Sequence, residues 1–433
     1  MEKKNIIKNL ILDHQEKLPV EDILPRELSL PTDKNKIIVV SGVRRCGKTT
    51  LLKLTQNKLL DKGIEAKKIL FFNFDDERLL LQTEELDLIL QSYRELYPDI
   101  SLNECYFFFD EIQNIDHWDK FVRRIYDNET KNIFISGSNG KLLGSEIASS
   151  LRGRTMQYEL YPLSFFEFLS FNNITKQYYG DKNKGAVMHA LSHYLHSGGF
   201  PEIIDRNDED RLMILSAYYR VLLFRDIIER YNVTRISALK YFIKRLISNL
   251  GKPFSINKIF NDLRSQGIKA DKDYLYEIME YIEAVYLSFR LYKFDYSVVN
   301  REMSDKKLYA IDNGLINAIS WQFSDDLGKL FENTVYLWLK RLFSEDLFYF
   351  DKKNECDFIV FDRDKPAYAI QACYDPSEKK TLEREIKGLT NALEYFRLDT
   401  GYLITAENED EIVIHDKTIK IVPAYKMMID NKF

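Results

Sequence analysis

The sequence has few cysteines, and they are scattered along the chain. The four cysteines are Cys46, Cys105, Cys356 and Cys373. They form no CxxC pair, so neither a disulfide framework nor a zinc site is expected. The first residues, MEKKNIIKNLIL, lack the pattern of a secretory leader. A reducing, cytoplasmic location is therefore expected.

Long apolar runs and an excess of positive charge are also missing. No apolar run approaches the roughly 18 residues that a membrane span requires, so no membrane partner is expected. The 433 residues carry a formal net charge of −5. This charge argues against extensive coating of nucleic acid, which needs clustered Lys and Arg, although it leaves a local basic patch open. The length favours about two to four domains.

What the sequence does contain is a phosphate-binding loop. An apolar run at 37–40 predicts a buried strand, which leads into GVRRCGKT and then into a helical pattern. This is G-x-x-x-x-G-K-[ST] in its strand-to-helix setting, where backbone N–H groups surround the β-phosphate. Lys48 would reach the β- and γ-phosphates, and the Thr49 hydroxyl would bind Mg²⁺. The alternative is a chance match in a glycine turn. The predicted ATP-binding residues are Gly42, Val43, Arg44, Arg45, Cys46, Gly47, Lys48, Thr49 and Thr50.

A second buried strand is predicted to end in two acids. Residues 106–109 are all aromatic, and Asp110 and Glu111 follow them. Asp110 is predicted to hold Mg²⁺ together with Thr49, directly or through water, and Glu111 to polarise the water that attacks the γ-phosphate. Acidic residues after a strand are common, so this interpretation depends on the loop upstream. The strand–helix–strand order predicts an α/β fold with a parallel sheet.

Two further segments supply candidate catalytic residues. Ser138 and Asn139 follow a strand predicted at 132–136, where ATPases with an extra strand between the two motifs carry a residue that senses the γ-phosphate. An ordinary turn is the alternative. Arg152 and Arg154 precede the next predicted strand, the position of an arginine finger that completes a neighbour's site in a homo-oligomer. A solvated basic turn or a substrate contact is the alternative.

These segments, with blocks later in the chain, resemble one protein family. The blocks include VRRCGKTTLL at 43–52, FFFDEIQNIDHW at 107–118, LRGRTMQYELYPLSFFEFL at 151–169, GGFPEII at 198–204 and KLYAIDNGL at 307–315. They resemble the prokaryotic AAA-type P-loop ATPases that carry a C-terminal domain of unknown function. The resemblance implies a P-loop NTPase parallel sheet of the AAA type, ATP and Mg²⁺ as ligands, and ATP hydrolysis.

After a nucleotide domain predicted at 1–180, the sequence predicts a helical region at 181–252 and a winged-helix-like domain at 253–320. Winged helices often bind DNA through their second helix. Here that helix, at 271–283, carries five acidic residues and one lysine, which would repel phosphate. A structural or protein-binding wing is therefore favoured over a DNA-binding one.

The last region, at 321–433, has the helix–strand–strand–strand–helix–strand order of restriction-endonuclease-like nucleases. Glu332, Asp357 and Gln371 match the magnesium ligands of such nucleases in position and type. Cys373 stands where a lysine would assist the hydrolytic water, and a thiol cannot supply that fixed positive charge. The site is therefore interpreted as degenerate, on a scaffold that binds nucleic acid or protein.

The sequence as a whole predicts a Mg²⁺-dependent ATPase that couples nucleotide state to C-terminal domains which contact DNA or a protein partner. Two alternatives stay open. One is an ATP-coupled nuclease or DNA-processing protein, and the other is a nucleotide-gated interaction module that hydrolyses little ATP.

Overall fold

The computed structural model describes residues 2–79, 81–138, 151, 153–320 and 326–431. The chain divides into two compact units, Met1–Tyr161 and Pro162–Phe433. The domain boundaries predicted at 180, 252 and 320 stay predictions. None of the helices in the described ranges is long and apolar enough to cross a membrane.

The first unit contains a five-stranded sheet in which every strand pairs with its neighbours in parallel. Its strands are β1 (Ile37–Ser41), β2 (Ile69–Asn73), β3 (Tyr106–Asp110), β4 (Ile133–Gly137) and β5 (Thr155–Glu159). The order across the sheet is β2-β3-β4-β1-β5. The predicted parallel sheet is therefore confirmed, and the carboxyl ends of β1, β3 and β4 lie side by side.

Helices complete the first unit. They are α1 (Glu2–Glu16), α2 (Lys48–Asp61), α3 (Asp87–Leu96) and α4 (Trp118–Asn128). In α4 the apolar side chains recur at helical spacing, and all of them are buried in the core of this unit. Strands β1 and β4 are buried along their whole length, as parallel strands between covering layers are. This packing fixes the positions of the loops at the carboxyl edge of the sheet.

The second unit contains a nine-stranded mixed sheet in the order β13-β14-β12-β11-β10-β9-β7-β8-β6. Its strands are β6 (Pro253–Phe254), β7 (Ser288–Lys293), β8 (Lys306–Ala310), β9 (Leu347–Asp351), β10 (Glu355–Asp362), β11 (Lys365–Ala372), β12 (Thr400–Thr405), β13 (Asp410–Ile414) and β14 (Lys417–Pro423).

The helices of the second unit are α5 (Phe165–Phe171), α6 (Asp181–Ser197), α7 (Asp208–Val221), α8 (Ile236–Ser248), α9 (Ile256–Ser265), α10 (Lys272–Ala284), α11 (Val298–Met303), α12 (Asn313–Ile319), α13 (Leu327–Phe343), α14 (Lys379–Phe396) and α15 (Ala424–Asp430). A π-helical segment, Leu222–Glu229, continues α7.

The order predicted for the last region is present as α13, β9, β10, β11, α14 and β12. Strands β9 to β11 are antiparallel, and β12 joins β11 in parallel. The β7–β8 pair, which lies within the winged-helix-like domain predicted at 253–320, also pairs with β9 in parallel through Tyr292 and Phe348. The hairpin and the nuclease-like strands therefore share one continuous sheet.

A buried carboxylate connects two of the blocks that carried the family resemblance. Asp312 caps α12 by accepting the N–H of Leu315 at 2.9 Å, and it accepts the N–H of Gly199 at 2.6 Å. A Cβ atom on Gly198 would lie 2.1 Å from the same carboxylate. The two glycines and the aspartate are thus needed for one close backbone turn.

Candidate functional site

The phosphate-binding loop connects β1 to α2 at the carboxyl edge of the first sheet. Gly42 packs so closely that a Cβ atom there would lie 2.1 Å from the carbonyl oxygen of Leu160. Gly47 has a φ of 102°, in the region that favours glycine, and α2 begins at the next residue. The first N–H groups of α2, which have no acceptor within the helix, therefore border the loop and make it suited to an anion.

Lys48 lies inside this loop. Its ammonium donates to the carbonyl oxygens of Gly42 at 3.1 Å and Val43 at 3.2 Å. It also lies 3.5 Å from a carboxylate oxygen of Glu111. The side chain is almost completely buried. The positive charge is thus held where the predicted phosphates would enter.

Thr49 and Asp110 are in direct contact. The Thr49 hydroxyl donates a 2.6 Å hydrogen bond to Oδ2 of Asp110, and the hydroxyl of Ser136 donates to Oδ1. Burial raises the pKa of Asp110, although both hydrogen bonds act in the opposite direction. A hydroxyl and a carboxylate are oxygen donors of the kind that Mg²⁺ prefers. A cation beside Asp110 would also offset the burial of its charge, so these residues fit the ion.

Glu111 follows at the end of β3 with a φ of 51°, a left-handed conformation that is unusual for glutamate. Its N–H donates to the Ser136 hydroxyl at 3.3 Å, and Gln113 donates to its carboxylate at 2.5 Å. Burial would raise the pKa of Glu111, but the charge of Lys48 and then the Gln113 hydrogen bond outweigh it and lower the pKa. The carboxylate is therefore ionised at neutral pH.

The predicted sensor residue Ser138 lies at the site, whereas the predicted finger residue Arg154 lies away from it. Ser138 comes directly after β4, is buried, and adds a smaller contribution to the lowered pKa of Glu111. Arg154 precedes β5 and pairs with Asp127 at 3.1 Å, at the opposite edge of the sheet from the loop. It does not reach the site of its own chain. Asn139 and Arg152 lie outside the described residues.

Sequence reasoning missed Ser136, Gln113 and Arg26. Ser136 is the one hydroxyl residue in the short strand β4, which pairs with β3. A polar residue in such a buried strand is a signal from which its role could have been predicted. Arg26, in the connector before β1, donates to the carbonyl oxygens of Cys46 and Tyr161, both at 2.8 Å. It ties the loop to the segment after β5. The local sequence gives no sign of this role.

The nuclease-like residues of the second unit also come together. Gln371 accepts the N–H of Asp357 at 3.1 Å. Burial, and then the nearby charge of Asp357, raises the pKa of Glu332 to about 7. Burial raises the pKa of the Cys373 thiol to about 11, so it is uncharged at neutral pH. The sequence reasoning missed Lys307, whose ammonium lies 2.9 Å from Asp357.

Comparisons with known proteins agree with this architecture. A family model described as an AAA domain matches residues 34–169, and one described as a domain of unknown function (DUF8612) matches residues 188–326. An uncharacterized protein of Methanocaldococcus jannaschii is 38% identical over 98% of this chain and 96% of its own length. An uncharacterized protein of Haemophilus influenzae is 30% identical over 80% of this chain and 84% of its own.

A solved structure of the Aeropyrum pernix ORC1 protein in complex with DNA aligns with 74% of this chain and 92% of its own, at 10% identity. Its TM-score of 0.30 is too low for any inference about ligands. The family assignment depends instead on the sequence relatives and the AAA-domain match. The chain belongs to a family of uncharacterized prokaryotic proteins in which an AAA domain, with the fold of nucleotide-binding ATPases, precedes a C-terminal domain of unknown function.

Proposed function

We propose that this protein binds ATP with Mg²⁺ in the loop at 42–49 and hydrolyses it to ADP and phosphate. The observation that supports the proposal best is the convergence of Lys48, Thr49, Asp110 and Glu111 at one edge of the sheet. A phosphate-binding lysine, a hydroxyl and two carboxylates with opposite pKa shifts are the parts that phosphoryl transfer to water needs.

Binding would use the backbone first. The N–H groups of the loop and of the first turn of α2 would donate to phosphate oxygens. Lys48 would exchange its contacts with the carbonyl oxygens of Gly42 and Val43 for phosphate oxygens. Thr49 and Asp110 would hold Mg²⁺, which supplies charge neutralisation for the triphosphate when it is bound.

Hydrolysis would use Glu111. Because its carboxylate is ionised and fixed by Gln113, it can accept a hydrogen bond from a water and take the proton that the water loses. The water oxygen then forms a bond to the γ-phosphorus, while the bond between that phosphorus and the bridging oxygen of ADP breaks. Ser138, beside Glu111, is proposed to help place this water.

The experiment that tests the proposal separates binding from turnover. Lys48→Ala should abolish ATP binding measured by calorimetry, whereas Glu111→Gln should keep binding and lower turnover by about 10²-fold or more. Lys53→Ala on the same helix and Glu84→Gln on the surface are the matched controls. Full turnover in both site variants would refute the proposal, and binding with no turnover in the wild type would favour the interaction module.

Arginine fingers are proposed only between copies. Arg154 lies away from the nucleotide site of its own chain, so it can act only at the site of a neighbouring copy in a homo-oligomer. Mass measurement in solution, with and without a non-hydrolysable ATP analogue, tests this role. A monomer under both conditions would exclude it.

The second unit is proposed to contact DNA or a protein partner, with nucleotide state controlling the contact. The acidic α10 favours protein over DNA, because its carboxylates repel phosphate. Gel-shift assays with single-stranded, duplex and branched DNA, with and without ATP, test the DNA arm. A salt-sensitive shift would reverse this preference.

A further inference from the structure

A lysine occupies the centre of the nuclease-like carboxylates. The ammonium of Lys307, on β8, lies 2.7 Å from Glu355, 2.9 Å from Asp357 and 3.7 Å from Glu332. These four residues are called the Lys307 cluster below. The Lys307 side chain is only 1% exposed. A lysine this deeply buried is stable only when charges of opposite sign surround it, as they do here.

The other donors and acceptors around the Lys307 cluster are also paired. Oδ2 of Asp357 accepts the N–H of Ala372 at 3.2 Å. Gln371 is the third predicted metal ligand. Its amide oxygen accepts a hydrogen bond from the N–H of Asp357, and its amide nitrogen donates to Glu385 at 2.5 Å. The amide oxygen that would have to bind a metal is therefore already used by the backbone.

Glu332 is held in the same way. The Tyr309 hydroxyl donates to its Oε1 at 2.7 Å. The backbone of Gly251 covers its other oxygen so closely that a Cβ atom there would lie 2.8 Å from Oε2. Glu332 thus faces a tyrosine, a lysine and a glycine backbone, and it has little open space beside it.

A divalent cation and the Lys307 ammonium would compete for the same oxygens. Mg²⁺ binds carboxylate oxygens at about 2.0–2.1 Å, and two like charges cannot share that point. Within the described ranges, no group of three or more His, Cys, Asp or Glu side chains is arranged to hold a metal ion. The residues present therefore do not fit the metal that the nuclease resemblance implies.

We propose that Lys307 takes the place that a divalent cation has in the nucleases this region resembles. The Lys307 cluster is then a charge-paired tie between β8, β10 and α13, and it does not bind a metal. The same geometry implies a latent site, because removing the ammonium would leave three carboxylates around the vacated point. Small shifts of these carboxylates would admit a cation.

The first experiment leaves Lys307 in place. Mn²⁺ is titrated into the nucleotide-free, full-length protein, and bound ions are counted from the electron paramagnetic resonance signal of free Mn²⁺. The wild type and Asp357→Asn should bind the same number of ions, because any ion bound belongs to another site. One ion fewer in a folded Asp357→Asn would overturn the proposal.

The second experiment removes the ammonium. Lys307→Ala should bind one additional Mn²⁺, the double variant with Asp357→Asn should lose it again, and Lys306→Ala on the same strand should behave as wild type. If Lys307→Ala is unfolded without metal, Mn²⁺ should restore its circular dichroism spectrum and melting transition. A Lys307→Ala variant that gains no ion and shows no stabilisation by Mn²⁺ would contradict the proposal.

Discussion

Oγ1 of Thr49 and Oδ2 of Asp110 lie 2.6 Å apart, although 61 positions separate the two residues in the chain. The contact exists because β1 and β3 both flank β4, so that their carboxyl ends meet at one edge. Ser136, at the end of β4, donates to the other oxygen of Asp110. Strand β4 thus supports the acid that β3 carries to the loop after β1.

Ser136→Ala should weaken the use of Mg²⁺. The substitution removes a hydrogen bond to a buried carboxylate, which contributes about 1.5–3 kcal/mol. The Mg²⁺ concentration that gives half-maximal ATP turnover should rise by roughly 10-fold. The exposed Ser101→Ala, before β3, is the control. An unchanged Mg²⁺ dependence in Ser136→Ala would show that the hydroxyl does not support the metal site.

Arg26→Ala should lower ATP affinity more than stability. The guanidinium connects the carbonyl oxygens of Cys46 and Tyr161, so its loss releases the loop from the segment after β5. We expect affinity for a non-hydrolysable ATP analogue to fall by about 10- to 150-fold, the effect of a lost charged hydrogen bond. Arg78→Ala, which removes a surface ion pair with Asp76, should leave calorimetric binding unchanged. Equal affinities for both variants would show that Arg26 does not support ATP binding.

Gly47→Ala should abolish nucleotide binding. Gly47 has a φ of 102°, and a Cβ atom there would lie 3.0 Å from the guanidinium of Arg26. Gly63 also has a positive φ, of 84°, but a Cβ atom there meets nothing within 4 Å. Both alanine variants should lose about 1 kcal/mol of unfolding free energy, and only Gly47→Ala should lose ATP binding. Binding by both variants would show that the loop tolerates the change.

Stability should depend on pH through Asp312. Burial raises its pKa from 3.8 to about 6, against the hydrogen bonds from Gly199, Leu315 and Gly314. The folded state therefore holds a proton at pH values where the unfolded state has lost it, and this contribution to stability disappears as pH rises from about 4 to 6. The total change is on the order of 3 kcal/mol.

The measurement is denaturant unfolding of the wild type and Asp312→Asn between pH 4 and 7.5. The wild type should lose stability relative to Asp312→Asn as pH rises through this window. Asp326, another helix cap, has a lowered pKa, so the wild type should not lose stability relative to Asp326→Asn as pH rises through this window. Parallel pH profiles for the wild type and Asp312→Asn would refute the assignment.

DNA cleavage should be absent. If Lys307 fills the cation position, plasmid, single-stranded and branched DNA should stay intact in Mg²⁺ or Mn²⁺, at the level of an Asp357→Ala control. Gel electrophoresis after long incubation checks this expectation. Cleavage that Asp357→Ala abolishes would make Lys307 a relocated catalytic lysine and would favour the nuclease alternative.

The sequence alone determined the class of the first unit. The apolar runs, the glycine spacing in the loop and the acids after an aromatic strand are local patterns, and local patterns predict a strand, a turn and a helix start. Because all the strands are parallel, their carboxyl ends meet, and the sequence could therefore also predict that Thr49 and Asp110 converge. The structure added the order of the strands, which places the ends of β1 and β3 on either side of β4.

Tertiary structure decided the partners that come from elsewhere in the chain. Arg26 reaches the loop from a connector, and Lys307 reaches Asp357 from a strand fifty positions upstream. The nuclease pattern expects its lysine on the same strand as Gln371, and that position holds Cys373. In the folded protein the ammonium comes instead from Lys307 on β8, which reaches Asp357 on β10 although β9 and β7 lie between these strands in the sheet order. A burial cost or a charge balance depends on every side chain around a point in space. Spacing along a chain does not contain that information.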